Sequence, residues 1–361
     1  MLTPQDAARA IYVDFESLGT AIDRPAILGS LVAGETDGVF QQFVLDEALA
    51  TATVARKNVC IDASPEAAVT AVVDIAERES RLVVSWSTHE RAVVRATCGA
   101  NVADRFAAVH RNALDTARKW KRSVYPAFPF ALKRFGGKHP LKQYLRMVAY
   151  PLPAAIRPAT PAKWLRHTLQ QMHAHDGRYR RITHEAKRDW HRLLVYNEHD
   201  CRGMHAVVTQ AARELDLWIA YGRARYVVVL DDREVTIRPG FRNPELDELL
   251  SELGASRWAF LTAYNPESTR RGSKENERRQ ASMRAQLASS GYTLLASEGR
   301  DASGLWPPEP SVLVLGISRR EARQVGRQYG QLAILVGHRG FPGRLVSTGL
   351  DPGRRHRTEK P

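Results

Sequence analysis

The sequence predicts an α/β protein in which a mixed sheet with flanking helices is followed by a second, small α/β domain. Apolar runs of strand length alternate with segments of helical periodicity along the chain. Its 361 residues are enough for two domains of ordinary size. After Tyr221 and Gly222 a new series of apolar runs begins. We therefore expect a first domain over residues 1–218, a second over 222–348 and a basic flexible tail over 349–361.

In the first domain, three strands should precede a helix, a strand and further helices. Two of the apolar runs flank a Gly-Glu-Thr-Asp-Gly turn, which indicates a hairpin. Ser64 and Pro65 precede valines at helical spacing, a typical helix start. Residues 112–116 are expected to form a short strand or turn. The predicted elements are strands over 11–14, 26–32, 39–45 and 81–86, and helices over 64–80, from about His89, over 163–175 and over 183–221.

The charge, hydropathy and cysteine content of the chain indicate what kind of partner and compartment to expect. The formal net charge of +14 and the pI near 10.0 predict a polyanionic partner, most simply nucleic acid, although a GC-rich genome would also raise the arginine content. The chain has no apolar run of membrane-spanning length and its N-terminus does not resemble a signal peptide. Its three widely spaced cysteines argue against a disulfide framework. We expect a cytoplasmic protein that binds no membrane.

A basic segment over residues 118–142 is the candidate nucleic-acid interface. Its cations interleave with aromatic residues, as in grooves that bind single strands through phosphates and stacked bases. The alternative is a solvated basic face whose aromatics belong to the core. The candidate binding residues are Lys119, Trp120, Lys121, Arg122, Lys133, Arg134, Lys138 and Lys142.

Acidic residues at three places are candidates for a metal site. Asp14 and Glu16 share one face of the first strand, and two such charges repel each other unless a cation lies between them. A strand that runs into a polar loop is the alternative. Glu90 falls in the first turn of a helix, where an acid also interacts favourably with the helix dipole. Tyr196 and Asp200 lie four residues apart on one helix face. They could form a simple hydrogen-bonded pair or point at Asp14 and Glu16.

Together these residues resemble the three motifs of the Tyr-type DEDD exonucleases, a ribonuclease-H-like superfamily. Within it, the chain is similar to the predicted RecB-type exonuclease domain of bacteria over about residues 8–215. The segments that carry the similarity are Asp14-Phe15-Glu16, Ser85-Trp86-Ser87-Thr88-His89-Glu90 and Tyr196-Asn197-Glu198-His199-Asp200. One departure is Glu90, because the superfamily usually supplies an aspartate in its second motif.

The resemblance implies a ribonuclease-H-like sheet and a two-metal-ion 3′–5′ exonuclease acting on single-stranded or frayed nucleic acid. Asp14, Glu16 and Asp200 would hold one Mg²⁺ or Mn²⁺. A second ion would be bridged by Asp14 and supported by Glu90, and Tyr196 would orient the attacking water. The alternative is a catalytically inactive nucleic-acid-binding module with a C-terminal accessory or ligand-binding domain.

The second half also resembles a known family, a bacterial domain of unknown function numbered 3293, over about residues 224–338. Thr262-Ala263-Tyr264-Asn265-Pro266 and Glu298-Gly299-Arg300-Asp301 are among the segments that carry it. The family name implies no activity. Five polar residues could line a pocket or could shape loops through hydrogen bonds. They are Asn265, Asn276, Arg300, Glu309 and Gln331.

Overall fold

The computed structural model describes residues 1–19, 24–34, 37–57, 59–130, 140–157, 159–304 and 306–350. The chain divides into two compact units. The N-terminal unit consists of Met1–Arg118 and Phe130–Arg213, and the C-terminal unit consists of Lys119–Pro129 and Glu214–Pro361.

Strands and helices are interspersed along the chain. The strands are β1 (Ile11–Ser17), β2 (Pro25–Val32), β3 (Val39–Val44), β4 (Cys60–Asp62), β5 (Val83–Ser85), β6 (His110–Asn112), β7 (Arg225–Val229), β8 (Glu234–Ile237), β9 (Arg257–Leu261), β10 (Leu294–Arg300), β11 (Glu309–Leu315), β12 (Ala333–His338) and β13 (Arg344–Ser347). The α-helices are α1 (Pro4–Arg9), α2 (Pro65–Arg78), α3 (His89–Thr97), α4 (Ala100–Val109), α5 (Ala113–Ser123), α6 (Leu141–Met147), α7 (Pro161–Ala174), α8 (His184–Arg223), α9 (Pro244–Glu252), α10 (Ser273–Ser289) and α11 (Arg319–Gln328). Short 3-10 helices cover Glu47–Arg56, Ala154–Ile156, Tyr179–Arg181 and Pro266–Ser268.

The N-terminal unit contains a mixed six-stranded sheet in the order β4-β3-β2-β1-β5-β6. The strands β1, β2 and β3 form an antiparallel meander, which confirms the predicted hairpin. On the other side of β1, strands β5 and β6 run parallel to it and to each other. Strand β1 is central in this sheet, and all of its residues except the half-buried Asp14 are buried.

The two faces of β1 pack against different helices. Ile11, Val13 and Phe15 belong to a core cluster that includes residues of α2 and α4. Tyr12 belongs to another cluster, which includes Met204 of α8. Asp14 and Glu16 follow Tyr12 at the two-residue period of a strand, so they lie on the α8 side of the sheet.

Several sequence predictions are confirmed and some are wrong. The helix predicted over 64–80 is α2, and the side chain of its N-cap Ser64 accepts a hydrogen bond from the amide of Ala67. Strand β1 continues to Ser17, so both of its acids lie inside the strand rather than at its end.

The prediction of a strand or turn over 112–116 is wrong after Asn112, because α5 begins at Ala113. The amide of Leu114 donates to Asn112 Oδ1 at this helix start, a local signal that the prediction missed.

The C-terminal unit contains a seven-stranded antiparallel sheet in the order β13-β12-β9-β11-β10-β7-β8. Apolar residues of α10 and α11 cover one face, and those of α9 cover the other. The expectation of a second domain that combines a sheet with helices is confirmed. Leu350 is buried, whereas residues 351–361 of the predicted tail lie outside the described residues. In the described part of the chain, no helix combines the length and apolarity needed to span a membrane.

Candidate metal centre

Three carboxylates converge beside the central strand. One oxygen each from Asp14, Glu16 and Asp200 lie within 4.8 Å of one another. The first two come from β1 and the third from α8, whose packing on the Tyr12 face brings it to the acids of the strand. We call these three residues the acid cluster. The two-residue period of the strand and the packing of α8 together account for its position.

Burial and mutual repulsion make ionisation of the acid cluster costly. Burial raises the pKa of Asp14 well above its usual value, and the charges of Glu16 and Asp200 raise it further. The pKa of Glu16 is raised mainly by burial and next by Asp200. Burial raises the pKa of Asp200 to about 6, although a hydrogen bond from Tyr196 acts in the opposite direction. A divalent cation would remove this cost, and a set of carboxylate oxygens is the donor set that Mg²⁺ and Mn²⁺ prefer.

Glu90 lies near the acid cluster but outside it. Its side chain is buried in the first turn of α3, where Ser87 Oγ donates to Glu90 Oε2 at 3.3 Å. The negative charge of Glu90 contributes to the raised pKa values of Asp14 and Glu16, so it is within electrostatic range of both. It is not part of the group of described carboxylates that meet within 4.8 Å. Its role as a ligand therefore stays a prediction.

Tyr196 and Lys142 complete the surroundings of the cluster. The Tyr196 hydroxyl donates a hydrogen bond to Asp200, and burial together with the neighbouring acids raises its pKa, so it stays neutral. Lys142 Nζ lies 5.4 Å from the centroid of the Tyr196 ring. Its positive charge lowers the pKa of Glu16 and of Asp200. Lys142, predicted as a nucleic-acid contact, is thus placed by the structure among the acids.

Sequence reasoning missed a buried amide that orients Asp14. Asn197 Nδ2 donates to the backbone oxygen of Asp14 and to its Oδ2, both at 3.0 Å. Gln42 Nε2 in turn donates to Asn197 Oδ1 at 2.9 Å. Gly29 pairs with Asp14 in the sheet, and a Cβ atom on Gly29 would lie 2.3 Å from Asn197 Oδ1. A glycine inside an apolar strand was the signal available in the sequence, since it often marks a close approach.

Two arginines hold Glu198, which lies on α8 next to Asn197. Arg56 donates to Gln42 Oε1 at 3.2 Å and to Glu198 Oε2 at 2.7 Å. Arg202 donates to Glu198 Oε1 at 2.8 Å. These two arginines lower the pKa of Glu198, against the effect of burial. Glu198 is therefore engaged by cations, although it lies between Tyr196 and Asp200 in the sequence.

The structure places the residues of the predicted nucleic-acid segment in different environments. Trp120 is fully buried and its Nε1 donates to Glu214 Oε2 at 2.8 Å, so its ring is closed to a stacking base. The prediction for Trp120 is wrong because α5 turns this residue into the core. Lys119 and Arg122 are exposed, and Lys121 Nζ donates to the backbone oxygen of Pro126. The predicted contacts Lys133, Arg134 and Lys138 lie outside the described residues.

In the C-terminal unit, the proposed polar pocket residues mainly hold loops. Asn265 Nδ2 donates to Glu309 Oε1 at 2.5 Å, and Asn265 Oδ1 accepts from Asn276 Nδ2 at 3.0 Å. Gln331 Nε2 donates to the backbone oxygen of Tyr264 at 2.8 Å. Arg300 instead pairs with Glu234 and Glu298. These contacts favour the loop-shaping alternative, in particular since Asn265 has a left-handed backbone with φ of 45°.

Comparison with known proteins bears on the C-terminal unit. A family model described as "Protein of unknown function (DUF3293)" matches residues 261–334. This match supports the resemblance expected for the C-terminal half and brings no activity with it. No curated protein and no solved structure matches the chain. The exonuclease resemblance of the N-terminal half gains no support from these comparisons.

Proposed function

We propose that the protein is a metal-dependent nuclease, a 3′–5′ exonuclease on single-stranded or frayed nucleic acid. The observation that carries the proposal is the meeting of Asp14, Glu16 and Asp200 oxygens within 4.8 Å. The strand order supports a ribonuclease-H-like sheet, since an antiparallel meander is followed by two strands parallel to β1. The net charge of +14 is consistent with a nucleic-acid substrate.

The three carboxylates that converge fit one divalent cation, and the proposal adds a second ion through Glu90. Asp14, Glu16 and Asp200 would hold one Mg²⁺ or Mn²⁺, and Asp14 with Glu90 would hold a second. When bound, such ions lower the pKa of a water molecule and offset the charge that develops on the reacting phosphate. The bond from water oxygen to phosphorus forms as the bond to the leaving 3′ oxygen breaks, and that oxygen takes up a proton.

Three residues around the acid cluster would orient its carboxylates, a water molecule and the phosphate of a substrate. Asn197 donates one hydrogen bond to the carboxylate of Asp14 and one to its backbone oxygen, so one rotamer of Asp14 is favoured before any ligand binds. Tyr196 keeps its proton and presents a hydroxyl next to Asp200, where it can position a water molecule. Lys142 adds a positive charge that can approach a phosphate oxygen.

The test is degradation of 5′-labelled single-stranded DNA and RNA in the presence of Mn²⁺ or of EDTA. The wild type should yield products shortened stepwise from the 3′ end, only with metal. Asp14→Asn and Asp200→Asn should each lose about 1,000-fold in rate or more, because both remove a ligand charge. Asp104→Asn removes an exposed acid of the same unit and should retain full activity. Full activity in Asp14→Asn would exclude this mechanism.

The place of Glu90 favours one alternative, a nucleic-acid-binding module without catalysis. Because Glu90 lies outside the converging group, a second ion would have fewer protein ligands than the first. Under this alternative the wild type binds labelled strands in Mn²⁺ and leaves them intact. Calorimetry would then show one Mn²⁺ bound per chain, whereas the nuclease proposal expects two in the presence of a nucleotide.

A further inference from the structure

Four arginines lie together on one helix of the C-terminal unit. Helix α11 carries Arg319, Arg323 and Arg327 at intervals of four residues, so they share one face, and Arg320 lies beside them. With Gln324, these arginines line an open cavity of about 480 Å³. No acidic residue is among its lining residues. We call this set of four residues the arginine face.

Within the described residues, no carboxylate forms an ion pair that would neutralise the arginine face. Glu321 is the only acid of α11, and it accepts a hydrogen bond from the amide of Ser318 at 3.1 Å. Unneutralised guanidinium groups around a cavity are an attractive site for an anionic ligand.

Two of the arginines are held in place by the protein backbone. Arg323 Nε donates to the backbone oxygen of Ser347 at 2.9 Å. Arg327 Nη2 donates to the backbone oxygen of Thr348 at 2.8 Å. A guanidinium has five N–H donors, so each retains donors for a ligand. Because these long side chains are already ordered, less conformational entropy is lost when they bind. Arg319 and Arg320 are exposed and have no partner among the described residues.

The length of the face distinguishes a polymer from a single anion. Arg319 and Arg327 are eight residues apart, which corresponds to about 12 Å along a helix. One phosphate group cannot contact both ends of such a row. A polyanion with regularly spaced charges can, and Arg forms paired hydrogen bonds with phosphate oxygens.

We propose that the arginine face of α11 binds the phosphate backbone of single-stranded nucleic acid. Preference for nucleic acid over an acidic protein rests on the nuclease function proposed for the N-terminal unit. The chain's own residues 351–361 are a poor complement for this face, since they include Arg354, Arg355, Arg357 and Lys360. Binding here requires no metal and uses no residue of the acid cluster.

The experiment measures binding of fluorescent oligo(dT) and oligo(U) to the full chain in EDTA, where no hydrolysis occurs. The test variant is Arg319→Gln with Arg320→Gln, because neither side chain has a partner among the described residues. Arg278→Gln with Arg284→Gln on α10 is the matched control, since it removes the same charge from exposed positions of the same unit. A melting curve of each variant confirms that it is folded.

We expect the test pair to weaken binding about tenfold, and the slope of log Kd against log salt to fall by about 1.4, from two lost contacts with a single strand. The control pair should change the affinity less than threefold. Equal losses in both pairs would overturn the proposal. Full competition by inorganic phosphate, or by poly-glutamate of equal charge, would also overturn it, since the ligand would then be a single anion or an acidic protein.

The two proposals fail separately. Asp14→Asn should lose Mn²⁺-dependent cleavage but should bind oligonucleotides in EDTA as tightly as the wild type. If the arginine variant loses binding but still cleaves short oligonucleotides, the result supports the arginine face and leaves the nuclease proposal unaffected.

Discussion

The acid cluster and the arginine face are both concentrations of like charge, but burial gives them opposite properties. In the acid cluster Glu16 is buried and Asp14 and Asp200 are half-buried; burial raises the pKa of each carboxyl, and Asn197 donates to Asp14. The arginine face is largely exposed, and water screens its charges. The ionisation and metal affinity of the acid cluster should therefore depend on its geometry and on pH. The affinity of the arginine face for a polyanion should depend on salt concentration and on the number of arginines.

The largest effect expected on stability is that of metal on the acid cluster. Mn²⁺ at about 100 times its Kd should stabilise the full chain by about 2.7 kcal/mol, because it binds only the folded form. Urea titrations with Mn²⁺ and with EDTA measure this difference. The Arg319→Gln, Arg320→Gln pair should keep the whole effect, whereas Asp14→Asn should lose most of it. Equal stabilisation of Asp14→Asn would place the metal elsewhere.

A substitution that changes no charge should damage the acid cluster nearly as strongly. Gly29→Ala places a Cβ atom 2.3 Å from Asn197 Oδ1, so the amide must move away from Asp14. We expect a loss of about 2 kcal/mol in the free energy of unfolding, typical of overpacking a buried position. Gly34→Ala is the control, because among the described residues no heavy atom beyond its chain neighbours lies within 4 Å of the added Cβ. Oligonucleotide binding in EDTA should be the same in both folded variants.

The metal-free protein should lose stability as the pH rises through the acid range. The pKa of Asp200 is about 6 in the folded chain and lies near the ordinary value of 3.8 when unfolded. Folding therefore binds protons between these values, and stability falls as Asp200 ionises. Denaturation in EDTA at several pH values measures the slope. Asp200→Asn should flatten it between about pH 4 and 6, and an unchanged slope would contradict the raised pKa.

The smallest effect concerns Lys142. Its charge lies close enough to lower the pKa of Glu16 and Asp200, so it also disfavours a cation at the same place. We expect Lys142→Met to tighten Mn²⁺ binding about threefold in the absence of nucleic acid. Calorimetry measures the Kd, and Lys163→Met removes an exposed lysine of the same unit as a control. Weaker Mn²⁺ binding in Lys142→Met would show that Lys142 supports the site rather than opposing the cation.

Local spacing by itself determined which candidate functional residues share a face within β1 and within α8. A strand has a period of two residues and a helix of about 3.6, so Asp14 had to share a face with Glu16 and Tyr196 with Asp200. The hairpin, α2 and α8 likewise follow from periodicity, and α2 also from its capping residue. These features depend on neighbours in sequence, which is why pattern reasoning reaches them.

Only the tertiary structure decided which face of β1 meets α8, and so which acids meet. It placed Glu90 outside the group of three, turned Trp120 into the core and set Asn197 against Gly29. Each outcome depends on packing between elements far apart in sequence. The burial that raises the pKa of the acids has the same origin, because desolvation is a property of the assembled layers and not of any single segment.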